Sequence, residues 1–271
     1  MNHVDWDDEF SNAKYIPGGS TYPQRWKDAS TLFINHHERV ERDIAYGSHP
    51  RQVFDLFWPS SKPLGLVVFV HGGYWMDFDK SYWSHLAKGA CDHGWAVAIP
   101  SYVLAPEARI SEITFMMISM IEKCAEAVVG PIVLVGHSAG GHLVTRMACK
   151  DVELSLEIRD RIQRFVSISG VHDLRNLLHT TMNNKLRLTT EEAACESPYL
   201  QEPVKTASVV TWVGSKERTE FLRQSEVLYN EWKSKTKEAH NVIEDDRHHF
   251  DVFNSLSVRD SSLIHTVLGI N

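Results

Sequence analysis

A serine with glycines two residues to either side, Gly136-His137-Ser138-Ala139-Gly140, follows the apolar run Val133-Leu134-Val135 and leads into Gly141-His142-Leu143. An apolar strand that passes through Gly-x-Ser-x-Gly into a helix is the pattern of a nucleophilic serine. The glycines let the backbone turn sharply and lift the hydroxyl to the exposed tip. Ser138 is therefore the candidate nucleophile. Glycine-flanked serines also occur in ordinary turns and phosphate-binding loops, so the rest of the chain must supply what the chemistry needs. A serine hydroxyl requires a base to take its proton and a third group to orient that base. It also requires donors for the oxyanion that forms on attack at a carbonyl.

The chain order expected for such a site is serine, acid, histidine. Glu244-Asp245-Asp246-Arg247-His248-His249-Phe250 follows the last expected strand and is suited to deliver an imidazole to the sheet's C-terminal edge. Either histidine could serve. His249 is preferred because Phe250 could bury and fix the loop beside it, whereas His248 could face solvent. For the acid, the run Ser208 to Val213 ends at Gly214-Ser215-Lys216-Glu217, a carboxylate three residues past a strand-ending glycine. Glu217 is preferred over two rivals. Glu220 reads as the first turn of the next helix, where its charge favours the helix dipole, and Asp173 reads as a helix cap.

Val67-Val68-Phe69-Val70-His71-Gly72-Gly73-Tyr74-Trp75 offers a strand ending in His-Gly-Gly. Gly72 and Gly73 are the expected oxyanion donors, joined by the N–H of Ala139 after the nucleophile. His71 reads as a structural imidazole that holds this loop. Tyr74 and Trp75, followed by Phe78, Tyr82 and Trp83, could wall a planar substrate, or could be ordinary packing beneath the N-terminal segment. Tyr74 and Trp75 are the substrate-binding candidates. No His-Glu-x-x-His or other familiar zinc spacing occurs among the histidines, so no metal is expected.

These residues need a scaffold, and its outline is visible. With 271 residues, 43% of them hydrophobic, the chain is expected to form a single α/β domain, residues 1–271. Apolar, β-branched runs at Leu66–Val70, Trp95–Ile99, Ile132–Val135, Phe165–Ile168, Ser208–Val213 and Val242–Ile243 alternate with stretches of helical spacing at Ser111–Val129, Gly141–Cys149 and Glu220–Lys233. That alternation predicts a doubly wound, mostly parallel central sheet with helices on both faces. Residues 1–45 read as irregular chain forming an N-terminal appendage or partial cap. Residues 173–203 read as a small cap insert of the kind that roofs an active site.

The formal charge of -7 and the lack of a basic block argue against nucleic-acid binding. The acidic N-terminus lacks the basic start and apolar stretch of a secretory signal, and no run approaches membrane-spanning length, so a cytoplasmic protein with no membrane partner is expected. Cys91, Cys124, Cys149 and Cys195 are widely spaced and are expected to be reduced core thiols.

Taken together, the chain resembles the kynurenine formamidase (arylformamidase) branch of the α/β-hydrolase superfamily. The most specific match is His71-Gly72-Gly73-Tyr74-Trp75, narrower than the His-Gly-Gly shared with hormone-sensitive-lipase-like esterases. The likeness continues through Tyr22-Pro23-Gln24-Arg25-Trp26, Gly136–Gly140, Ser169-Gly170-Val171-His172-Asp173-Leu174, Glu220–Ser225 and His249-Phe250, in order over nearly the whole chain. The resemblance implies the α/β-hydrolase fold and hydrolysis of N-formylkynurenine to kynurenine and formate, a step of tryptophan breakdown. It implies no cofactor, a small-molecule substrate and a homodimer. Ser138 would be the nucleophile, His249 the base and Glu217 the acid. The family's acid is usually aspartate, so Glu217 is a departure. Two alternatives stand beside this expectation: a general carboxylesterase for short-chain or aryl esters, and a non-catalytic protein holding a small ligand in a hydrolase pocket.

Overall fold

The structure, a computed structural model, describes residues 4–270. Eight strands form one sheet in the order β1-β2-β4-β3-β5-β6-β7-β8. They are β1 (Val40–Ala45), β2 (Val53–Phe57), β3 (Leu66–Val70), β4 (Ala96–Pro100), β5 (Ile132–His137), β6 (Ile162–Ile168), β7 (Ser208–Gly214) and β8 (Glu238–Glu244). The β1–β2 and β2–β4 pairs are antiparallel, and the remaining pairs are parallel. A mostly parallel sheet, as the alternation of runs predicts, is the α/β-hydrolase architecture.

Strands β3, β4, β5 and β7 are buried at every position. A strand covered on both faces has no solvent side, which is why these read as continuous apolar runs. Side chains still alternate between the faces. Leu66, Val68 and Val70 join one core with the helices Ile110–Ala127 and Thr219–Trp232, which supply Ile113, Met117, Phe221 and Leu228. Val67 and Phe69 join the other, with Trp26, Ala90, Leu263 and Ile264. At about 25 cal/mol per Å² of apolar surface, each such side chain contributes roughly 1.5–3 kcal/mol of transfer free energy before entropy is counted.

Three expectations are corrected. The N-terminal appendage is not irregular chain: Tyr22–His36 is a 15-residue helix opened by Pro23, and β1 joins the sheet as an edge strand. That helix buries only Trp26 and Ser30, so its sequence carries little of the apolar stripe that marks a helix. Second, β8 is seven residues long although only Val242 and Ile243 suggested it. Its register with β7, from Ser208↔Glu238 to Gly214↔Glu244, imposes the strand on polar residues. Third, Cys195 is exposed, while Cys91, Cys124 and Cys149 are buried free thiols.

The insert at 173–203 folds into the short helical pieces Leu174–His179, Asn183–Leu186, Thr190–Cys195 and Pro198–Leu200. Much of it is fastened to the side of the domain. Thr114 Oγ1 donates to Glu196 at 2.6 Å, Ser111 Oγ donates to Glu192 at 2.8 Å, and Arg146 pairs with Glu196 at 3.2 Å. Among the described residues, no helix is long and apolar enough to cross a membrane.

Candidate active site

Ser138 follows the last residue of β5 with φ 55° and ψ −118°, and the helix Ala139–Arg146 begins immediately after it. A positive φ is uncommon outside glycine and costs on the order of 1–3 kcal/mol, so the surroundings must hold it in place. Ser138 N donates to Ile168 O at 2.8 Å, and His142 N donates to Ser138 O at 3.1 Å. The turn is too tight for side chains on the flanking glycines. A Cβ on Gly136 would lie 2.1 Å from Gly140 O, and one on Gly140 would lie 2.0 Å from Val70 O.

Glu217 lies three residues past the end of β7, and both of its carboxylate oxygens are used. Oε1 accepts from Gly214 N at 2.9 Å and from Ser169 Oγ at 2.5 Å. Oε2 accepts from His249 Nδ1 at 2.6 Å. Glu217 and His249 are both buried, and with Nδ1 committed to the carboxylate, Nε2 is the nitrogen left to meet Ser138. His249 and Ser138 line the same cavity. The His249 loop is fixed from below, where His137 Nε2 donates to His249 O at 3.0 Å and Phe221 packs 4.3 Å from the imidazole centroid. Burial first, then the neighbouring His249, holds the His137 pKa far below the ordinary histidine value, so that ring stays neutral.

The rival residues are occupied elsewhere. Glu220 sits in the first turn of Thr219–Trp232, paired with Arg223 at 2.7 Å and accepting from Gln224 at 2.6 Å. Asp173 caps Leu174–His179 and pairs with Arg175 at 2.8 Å. His248 Nε2 is hydrogen bonded to Tyr22 OH at 3.1 Å.

The loop after β3 lies against the nucleophile. A Cβ on Gly72 would be 2.9 Å from Ser138 Cβ, and Gly73 has φ 110°, where a Cβ would be 2.4 Å from Asp77 O. Both glycines line the cavity, and Ala139, at the start of the nucleophile helix, is fully buried. His71 holds this loop from behind. Its Nδ1 donates to Gly72 O at 2.7 Å, its ring stacks 4.4 Å from Tyr102, and Tyr102 OH donates to His71 O at 3.0 Å. Burial pushes the His71 pKa down to about 4, so the ring is neutral and structural at neutral pH.

The cavity encloses about 230 Å³ and is chiefly apolar and aromatic. Its walls correct two expectations. Tyr74, Phe78 and Trp83 line it, but Trp75 does not. Positive φ values of 51° and 58° at Tyr74 and Trp75 turn the chain, and the Trp75 indole, wholly buried, packs edge-on 5.1 Å from His142 in the core. No residue of 173–203 lines the cavity, so that insert is not its roof; the roof is the N-terminal segment, the partial cap of the sequence reading, through Ala13, Gly19, Ser20, Pro23 and Trp26. Tyr74 ties this segment down: its hydroxyl donates to Phe10 O at 2.5 Å and accepts from Asn12 Nδ2 at 2.8 Å.

Spacing did not reveal the part played by Ser169. It follows β6 with φ 51°, echoing Ser138 after β5, and its hydroxyl binds the acid. The available signal was a serine directly before a glycine at a strand end, next in chain order to the nucleophile strand.

Comparison with known proteins is consistent with this architecture. Residues 54–241 match the BD-FAE family model. Kynurenine formamidase of Danio rerio is 30% identical over 198 residues, which cover 69% of this chain and 67% of that one. Kynurenine formamidase of Salmo salar is 28% identical over 239 residues, covering 83% and 80%. A crystal structure of a Silicibacter sp. TM1040 protein, provisionally assigned as a thioesterase, superposes with a TM-score of 0.94 at 45% identity, covering 98% of this chain and all of that one.

Proposed function

Since the chain belongs to the BD-FAE family and, within the α/β-hydrolases, to the kynurenine formamidase-like branch, we propose that this hydrolase cleaves an aryl formamide, N-formyl-L-kynurenine, to L-kynurenine and formate through an acyl-enzyme on Ser138. The observation that carries the serine mechanism is the 2.6 Å bond between Glu217 and His249 in the cavity wall that also holds Ser138.

Ser138 Oγ attacks the formyl carbon as His249 Nε2 takes its proton. Negative charge gathers on the former carbonyl oxygen and meets the N–H groups of Gly72, Gly73 and Ala139. One such donor is worth about 2.7–4 kcal/mol in comparable sites. The leaving group is an aniline nitrogen, poorer than an alkoxide, so His249 must hand it the proton as the C–N bond breaks. The same imidazole then deprotonates water, which attacks the formyl-serine, and returns that proton to Ser138 Oγ as the ester bond breaks and formate leaves. Glu217 keeps Nδ1 protonated and stabilises the imidazolium that forms twice in each cycle.

The test is hydrolysis of N-formyl-L-kynurenine followed by absorbance, beside a short-chain nitrophenyl ester and a Ser138→Ala control. Preference for the formamide that vanishes in the control is expected. Ester cleavage dependent on Ser138 with no formamide turnover would replace the substrate and keep the mechanism. This second reading, an ester or thioester hydrolase, is favoured by the likeness to the Silicibacter protein. Covalent labelling of Ser138 by a fluorophosphonate separates either enzyme from a ligand-binding protein, because labelling requires an activated hydroxyl.

A further inference from the structure

The cavity wall is apolar and aromatic except at one place on its rim. Asp77 lines the cavity and is exposed to solvent, and its backbone is pinned by donation from Asp77 N to Gly73 O at 3.0 Å. Other charged groups nearby are engaged. Arg51 donates to the carbonyls of Tyr102 and Phe78, Lys80 lies between Asp55 at 2.6 Å and Asp43 at 2.9 Å, and Asp79 accepts from Ser81 N at 2.7 Å. The Asp77 carboxylate has no such partner among the described residues.

One residue earlier in the chain, the carbonyl of Met76 lies 3.4 Å from the ammonium of Lys185, an exposed residue of the short helix Asn183–Leu186. Among the described residues no carboxylate lies within ion-pair distance of Lys185, so this cation, which reaches the backbone carbonyl next to Asp77, is not paired with the Asp77 anion. An unpaired anion on the rim of an aromatic cavity, with an unpaired cation reaching the residue before it, is the complement of an amino-acid zwitterion attached to an aryl ring. A carboxylate and the faces of Trp26, Phe78 and Trp83 suit an ammonium group, and a lysine suits a carboxylate.

We propose that Asp77 and Lys185 are specificity-determining residues that bind the α-ammonium and α-carboxylate of a zwitterionic aromatic substrate whose aryl formamide reaches Ser138. The assignment rests on the formamidase reading and deepens it: the enzyme selects an amino acid, not any formanilide. It also gives the 173–203 insert a part at the site, reaching the rim through Lys185 without roofing the cavity.

Calorimetric titration of the intact protein with L-kynurenine and with ortho-aminoacetophenone, which has the same ring and ketone but no amino-acid group, tests this. Wild-type protein is expected to prefer L-kynurenine by about tenfold or more, the size of one or two charge-assisted hydrogen bonds. Asp77→Asn and Lys185→Gln should each pull that ratio toward unity, with melting temperatures reporting that both variants are folded. Equal affinities in the wild type, or an undiminished ratio in both variants, would overturn the assignment. Turnover of N-formyl-L-kynurenine measured in parallel keeps the two ideas apart. Zwitterion preference without turnover refutes the formamidase reading alone, and turnover without preference refutes the Asp77–Lys185 site alone.

Discussion

The cavity has two sides built in different ways. On one side, Ser138, Ser169 and Glu217 follow the neighbouring strands β5, β6 and β7, each within three residues of a strand end, and a short chain of hydrogen bonds runs from Ser169 through Glu217 to His249. On the other side, the wall is assembled from the loop after β3 and from residues 13–26, packed through aromatic rings such as Trp26 against Trp83, 4.9 Å apart. The first side inherits its geometry from the sheet, so its atoms are placed by backbone pairing. The second is fastened by side chains, partly at the surface, where Arg218 pairs with Asp8 at 2.7 Å and lies 3.9 Å above the Tyr15 ring. The proposed chemistry thus rests on strand ends, and the proposed substrate-selecting wall rests on side-chain packing.

The sharpest way to break this contrast is to remove the reacting groups. Ser138→Ala or His249→Ala should lower kcat by about 10⁴- to 10⁶-fold with melting temperature nearly unchanged, as in other serine hydrolases. Substantial turnover in a folded Ser138→Ala protein would place the chemistry elsewhere. Next in size, Glu217→Gln should cost roughly 10³- to 10⁴-fold in kcat by disturbing the imidazole that it orients, whereas Glu220→Gln should stay within about tenfold. The reverse ranking would move the acid to Glu220.

Acid should strike the sheet-anchored side through stability. His142 and His172 lie fully buried around the nucleophile helix, and burial lowers the pKa of each to about 3. An unfolded histidine titrates near 6.5, so the unfolded state binds these protons first as pH falls. The stability contributed by the neutral rings is full above about pH 6.5 and is lost progressively toward pH 3. Thermal melts across that range should show a steady fall, and His172→Asn, if folded, should flatten it. A melting temperature constant from pH 6.5 to pH 4 would show that these rings are not held neutral.

The smallest effect is expected at the fastening of the N-terminal segment. Arg218 and its partners Asp8 and Glu9 are half-buried ion-pair groups whose loss loosens the segment without touching the proposed catalytic groups, so Arg218→Ala should raise KM only about two- to fivefold and change kcat less. High salt should produce a similar rise in the wild type and little more in the variant. A kcat loss as large as that of Glu217→Gln would mean that Arg218 supports the acid and not the roof.

The same division explains what the sequence discloses. Most strands covered on both faces announce themselves as apolar runs, whereas the interior strand β2, buried at four of five positions, goes unannounced because the buried Asp55 interrupts it; the turn at Ser138 announces itself by its glycines. Edge strands carry no such signature. Three of the six residues of β1 run exposed in succession, and β8 is as polar as a loop. The aromatic wall was the least legible part. Trp75 adjoins the glycine loop in sequence yet is turned into the core, while Trp26, more than a hundred residues from Ser138, reaches the cavity. Spacing along the chain reports which residues share a strand end. It does not report which distant segment folds over it.

The roof over the cavity also bears on how the protein comes into being. Residues 13–26 leave the ribosome well before His249, so this segment must wait for more than two hundred residues before the cavity that it covers is complete. Contacts between such distant positions form late in folding. A nascent chain halted before residue 249 lacks the proposed base. Synthesis therefore cannot complete the cavity until the loop that carries His249 has been made.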